Sequence, residues 1–283
     1  MLMIRTLCMY SPKWNIGIEL SQHHIQLVAA KKHRKYWSLC ECWQQKLPTE
    51  INHLVLEEQR VILLNILKQW RQKLPKNCSV SIALPSMRTL KQQVSLPNQM
   101  NLQQPELGWY LQTQIEKRFP MQAEDLSVDY RIINQQVYFN AARQSDILFW
   151  QHLLKESGYS LSAVDIAPIA LRYLAKQAHL PDESWLIHYR NGEWLWSGPI
   201  SQPANYNHIQ DNQLTDITQI IPLLTNDLEY LKLPIYYISD HSQPDSPPQW
   251  DLLQAFHHYP IKLPRQLGDF VIAAGLALRH KDI

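Results

Sequence analysis

The residues equipped for chemistry are mostly histidines and acids, and their spacing argues against the usual uses of them. Twelve histidines are spread through the 283 residues, yet there is no HExxH, no CxxC pair and no zinc-spaced Cys/His ladder. The neighbours His23 and His24, like His257 and His258, send adjacent side chains in different directions, which makes a poor chelate. Asp240, His241 and Asp245 lie close to Ser239 and Ser242, but proline-flanked polar loops carry such residues for turn formation alone. A GxSxG elbow, a Walker lysine loop and a GxGxxG turn are all missing. The sequence assigns no catalytic residue and no metal ligand.

Glycine usage narrows the chemistry further. Seven glycines occur, all isolated, whereas loops that wrap phosphates need the close backbone approach and positive φ that glycine supplies. Lys plus Arg number 27 against 25 Asp plus Glu, so the one-sided basic field of a nucleic-acid binder is missing. The longest basic run is Lys31, Lys32, His33, Arg34 and Lys35. It falls between two strand patterns, where a solvated hairpin tip is the plain reading and contact with anionic lipid the sharper one. The four cysteines (Cys8, Cys40, Cys42, Cys78) read as reduced, mostly packed thiols, in keeping with the cytosol. No apolar run reaches membrane-spanning length, so the chain is expected to be soluble and to meet a membrane only through a partner. Trp185, Trp194 and Trp196 are expected in the core, with an exposed aromatic surface for a partner as the alternative.

These residues must be positioned by an alternating α/β chain. Period-2 patterns predict strands over 16–20, 25–30 and 36–44, followed by a helix over 57–74 and a strand over 79–84. Between 86 and 135 the prolines at 97, 105 and 120 mark an inserted subdomain with one amphipathic helix over 106–117. The main pattern resumes with a strand over 136–142, a helix over 146–157, a strand over 161–166 and a helix over 168–177. The order then begins again: strands over 185–190 and 193–197 about Asn191-Gly192, a third over 200–205, a helix over 216–232, a strand over 235–239, and helices over 249–257 and 267–280. The chain thus divides into a first half over 14–178 and a shortened second half over 179–283. Two β-β-β-α-β-α units in tandem are the element order of the duplicated ribonuclease-H-like, actin-like fold, a mixed α/β architecture.

The residues from Ile16 to Val28 resemble the opening of PilM proteins of type IV pilus assembly. Four further stretches agree in order and spacing: Val80 to Pro85, Ile115 to Pro120 with Glu124, Asp125, Asp129 and Tyr130, Gly158-Tyr159 with Val164-Asp165 and Ala170-Leu171, and Ala274 to Arg279. The short length and altered motifs are most similar to the HofM and ComA branch associated with competence and DNA utilisation. The resemblance implies an actin-like fold with an inserted 1C-type subdomain, and a groove beside that subdomain for the cytoplasmic tail of a PilN-like or HofN-like inner-membrane protein. Apolar residues at the joint are the candidate walls: Leu84, Met87, Leu90, Ile115, Phe119 and Met121. A possible homo-oligomer is compatible with this role, and direct nucleic-acid binding is not expected.

Members of this family typically bind ATP, but the matching positions here have changed. Glu19 stands where the resemblance implies Asp, Ser21 replaces glycine, Gln26 replaces lysine, and His23 and His24 occupy positions of small residues. Asp240 and His241 fall where paired glycines are implied, and His188 and Arg190 fall in the second phosphate loop. The expectation is a degenerate nucleotide site, no cofactor and no enzymatic activity, with an ATP-binding ATPase of the same machine as the alternative.

Overall fold

A computed structural model describes residues 13–21, 23–48, 56–97, 105–190, 192–239, 249–260 and 262–279. The first half is a five-stranded sheet in the order β3-β2-β1-β4-β8. Strands β1 (Trp14–Leu20), β2 (His24–Lys32) and β3 (Trp37–Lys46) form an antiparallel meander. Strand β4 (Cys78–Leu84) runs parallel to β1, and β8 (Leu161–Ile166) is the outer edge. Every residue of β4 is buried, as expected of a central strand covered on both faces. Helices α1 (Leu56–Arg71) and α3 (Gln144–Glu156) cover one face through Leu63, Leu67, Trp150, Leu153 and Leu154.

The second half is smaller: β9 (Trp185–Arg190), β10 (Glu193–Ser197) and β11 (Tyr206–Gln210) form a second meander, and β12 (Ile235–Ile238) runs parallel to β9. Trp185, Trp194 and Trp196 are sealed inside it. The two sheets are joined by an exchange of helices. Helix α4 (Ala167–Gln177), from the first half, lies on β9 and β10, while α7 (Val271–Leu278), from the second half, lies on β1 and β2.

Two glycines set how closely these helices can sit. A Cβ on Gly17 would come within 1.9 Å of the Ala273 carbonyl oxygen, and one on Gly275 within 2.0 Å of that of Ala170. Both residues serve packing between the halves.

Several expected elements differ. The strand expected to resume the main pattern, β7 (Gln136–Arg143), is instead the middle of a separate three-stranded sheet between β5 (Thr89–Ser95) and β6 (Leu126–Ile133). Helix α2 (Glu106–Arg118) packs on that sheet through Leu111. The third strand of the second half begins at Tyr206 rather than at residue 200, because 198–205 is a loop. The expected helix over 216–232 is two pieces, α5 (Ile217–Leu224) and α6 (Leu228–Leu231): Thr225 is extended and Asp227 caps a new start. A 3₁₀ turn over Leu252–Ala255, capped by Asp251, replaces the helix expected at 249–257, since Phe256 is extended. Asp240 and His241 lie outside the described residues.

Candidate functional site

Strand direction brings the ends of β1 and β9 together across the cleft between the halves. Glu19, near the end of β1, accepts two hydrogen bonds from the Arg190 guanidinium at the end of β9, at 2.8 and 2.5 Å. Arg190 Nε donates to Glu193 Oε2 at 3.0 Å, at the start of β10. Nη1 also approaches the Asp269 carbonyl oxygen at 3.5 Å, and Asp269 Oδ2 accepts from Gln44 Nε2 at 3.0 Å. Glu19, Arg190, Glu193 and Asp269 are all buried.

Burial alone would lower the Arg190 guanidinium; the Glu19 and Glu193 carboxylates more than offset that and raise it. Burial raises the Glu19 carboxyl, with Arg190 pulling the other way. The arrangement is a bidentate, charge-assisted clamp between the halves. An ion pair so deep adds little stability against an apolar pair of equal volume, but removing one partner strands the other.

The β1–β2 turn is closed on itself. Ser21 N donates to the His24 carbonyl at 2.9 Å and Ser21 Oγ donates to the same oxygen at 3.0 Å. His24 is half-buried, with its ring held neutral more readily by burial, whereas His23 is exposed. Together with Gln26, Arg190, Glu193 and Asp269 these residues enclose about 20 Å³, roughly one water molecule's space. Gln26 is buried and its Oε1 has no hydrogen-bond partner. His23 and His24, at positions where the resemblance implies small residues, line this space, and Arg190 spans to Glu19 beside it. His188, also buried, sits at hydrogen-bond distance (3.0 Å) from the Ile238 carbonyl through Nδ1. Burial, helped by Arg190, pushes its pKa down to about 3. Among the described residues no group of His, Cys, Asp or Glu is arranged to hold a metal ion.

Two larger cavities lie nearby, and only the first is walled by the clamp residues. One of about 260 Å³ lies below the clamp, with Leu84, Met87, Phe149, Trp150 and Leu195 in its wall. The other, of about 230 Å³, runs between the end of β8, the faces of β6 and β7, and the 198–204 loop. Its walls include Tyr130, Tyr138, Asn140, Asp165 and Ile169. Asp165 accepts from Tyr173 Oη at 2.8 Å and Arg279 Nε at 2.9 Å. The inserted sheet is fastened across this groove: Lys91 Nζ donates to the Ala204 and Tyr206 carbonyls at 3.1 and 2.7 Å, and Tyr206 Oη donates to Asn140 Oδ1 at 2.7 Å.

Of the expected groove walls, Leu84 is buried and reaches both cavities, and Met87 lines the cleft cavity at 67% exposure. Leu90, Ile115, Phe119 and Met121 line neither of these two cavities. They belong to the insert's own core between α2 and its sheet, with Phe119 edge-on to Phe139. Their apolarity serves that core, and the groove is lined from β6, β7 and β8 instead. Sequence reasoning missed Tyr138 and Asn140, which lie in a strand it placed elsewhere. Asp165 and Arg279 lay in motifs of the resemblance, but their pairing joins positions 114 residues apart.

Comparison with solved structures supports an actin-like fold. A structure titled "PilM-PilN type IV pilus biogenesis complex" superposes with a TM-score of 0.69 at 15% identity, covering 93% of this chain and 97% of that one. The cytoplasmic domain of EpsL, an inner-membrane component of the type II secretion system of Vibrio cholerae, gives 0.57 at 15% identity, covering 86% of this chain and 92% of that one. Comparison with curated protein sequences gives no match. Residues 17–185 match the family described as "Type IV pilus assembly protein PilM", a span holding the first sheet, the insert and the start of β9, and the chain therefore belongs to the type IV pilus assembly PilM family.

Proposed function

We infer that the chain is a non-catalytic, cytoplasmic adaptor of a type IV pilus or DNA-uptake machine, holding the cytoplasmic tail of a PilN-like or HofN-like inner-membrane protein. The observation that carries this reading is Arg190, which reaches across the cleft to Glu19 and fills with its own charge the place where two phosphate-binding turns would converge. The space left there is about 20 Å³, far below what a triphosphate needs. The altered loops favour the HofM and ComA branch. The groove beside β8 suits an extended tail: β8 is the edge strand of its sheet, and an added strand gains main-chain hydrogen bonds while pockets select alternate side chains. The solved PilM-PilN complex, similar over most of both chains, supports the choice of partner.

The competing reading, an ATP-binding ATPase of the same machine, rests on the cavity of about 260 Å³ beneath the clamp and requires Arg190 to leave Glu19. Titration calorimetry with ATP and magnesium separates the two. The adaptor reading expects no heat, and micromolar binding overturns it. Co-purification with the tail of a PilN-like membrane protein, with and without nucleotide, is expected to succeed equally in both. Tyr130→Glu in the groove should weaken capture at least tenfold, while Met87→Glu at the cleft cavity leaves it unchanged; the reverse pattern would move the tail to the cleft.

A further inference from the structure

The end of β2 remote from the clamp carries a basic surface that the adaptor reading does not use. Strand β2 leads from His24, beside the clamp, to Lys32 at the β2–β3 tip, a span of about 30 Å. The tip presents Lys31, Lys32, Arg34 and Lys35. Lys13 adjoins it, since Trp14 pairs with Lys31, and so does Lys76, since Trp14 N donates to the Asn77 carbonyl. Between Glu19 and Glu41 there is no acidic residue, and none between Asp251 and Asp269. Arg34, Lys35, Lys13 and Lys76 are exposed. Among the described residues, none of Lys31, Arg34 and Lys35 has a carboxylate within salt-bridge distance. For a chain of formal net charge +2, this is a local concentration of one sign.

The surface is also rigid and aromatic. Tyr36 stacks on His33 at 4.6 Å and meets His257 and His258 at 5.1 and 5.4 Å. Backbone bonds from Leu39 N to the His258 carbonyl and from His257 N to the Trp37 carbonyl, at 2.8 and 2.9 Å, fix the 257–259 loop against the tip. That loop leaves Tyr259 52% exposed.

We propose that this pole is a peripheral contact for the anionic phospholipid headgroups of the membrane in which the partner is anchored. Two features favour lipid over nucleic acid. The patch is a compact tip rather than a stripe able to follow a phosphate backbone, and it sets tyrosine beside lysine and arginine, the composition that settles at the headgroup level. Each basic residue near an anionic surface contributes about 1 kcal/mol, roughly fivefold in affinity. Such a contact is weak alone and becomes effective once a tethered tail holds the protein at the bilayer. The inference rests on the adaptor reading for that tether. It also fixes geometry: the groove faces away from the bilayer, so the tail must extend over about ten residues to reach it.

Flotation of the full chain with vesicles tests this without the partner. Vesicles of phosphatidylcholine with phosphatidylglycerol should capture it at low salt, and phosphatidylcholine alone should not. The exposed-site variant Arg34→Glu/Lys35→Glu should bind at least about 25-fold more weakly while capturing the tail peptide as before. Equal vesicle binding by the variant, binding to neutral vesicles, or tighter binding of a DNA duplex through the same residues overturns the proposal. Failure of the wild-type chain to capture the tail, with vesicle binding intact, would count against the adaptor reading alone.

Discussion

Glu19 and Arg190 each follow by five residues the tryptophan that opens their strand, Trp14 in β1 and Trp185 in β9. Both tryptophans pair with the first residue of the parallel neighbour, Cys78 and Ile235. The two halves thus place equivalent positions opposite one another, one filled by an acid and the other by a base. A second equivalent pair behaves differently. Gly17 admits the backbone of α7, whereas its counterpart His188 fills the space with a ring close to the Ile238 carbonyl. Duplicated scaffolds supply paired positions, and which side chains occupy them decides whether the space between is left for a ligand or closed by the protein itself.

The largest expected effect comes from breaking the first pair on one side. Arg190→Met leaves Glu19 and Glu193 buried without their cation and should cost about 3–5 kcal/mol in denaturant unfolding, while Glu19→Met/Arg190→Met should recover the share owed to Glu19, with Glu193 still unpaired. An additive double variant would show that the two ends are not coupled. Gly17→Ala brings a methyl group against the Ala273 carbonyl and should cost about 3 kcal/mol; a neutral result would mean that α7 can move outward freely.

The His188 comparison is sharpened by pH. Its ring stays neutral in the fold down to about 3, whereas the unfolded chain takes up that proton near pH ~6.5. Between those values the unfolded state binds more protons, so this site's stabilisation is lost as pH falls, by on the order of 1.4 kcal/mol per unit within the window. His188→Gln should flatten the stability profile there; an unchanged slope would assign the acid sensitivity elsewhere. The smallest effect is expected at the insert. Lys91→Ala removes the donor to the Ala204 and Tyr206 carbonyls and should cost about 1 kcal/mol, with faster amide exchange in the 198–206 loop. Unaltered exchange would show that the insert is held by Tyr206 and Asn140 alone.

The first meander was legible because its strands alternate strongly and its turns are polar; β1 and β2 lie within two residues of their expected bounds. The insert's strands were not: β5 is largely polar and partly exposed, which mutes the alternation that marks a strand, and β6, although it alternates from Leu126 to Ile132, lies among the turn signals that marked the insert. Ile115 and Phe119 advertise burial, and burial in a small subdomain means its own core. The changed residues at Glu19, Ser21 and Gln26 could be read one by one, but the contact of Glu19 with Arg190 joins positions 171 residues apart and follows from the exchange of helices rather than from any local spacing.

That exchange bears on how the protein can be handled. Because α4 roofs the second sheet and α7 the first, cutting between the repeats would strip each fragment of its lid and leave an oily sheet facing water. Expression of one repeat without the other should therefore yield insoluble material.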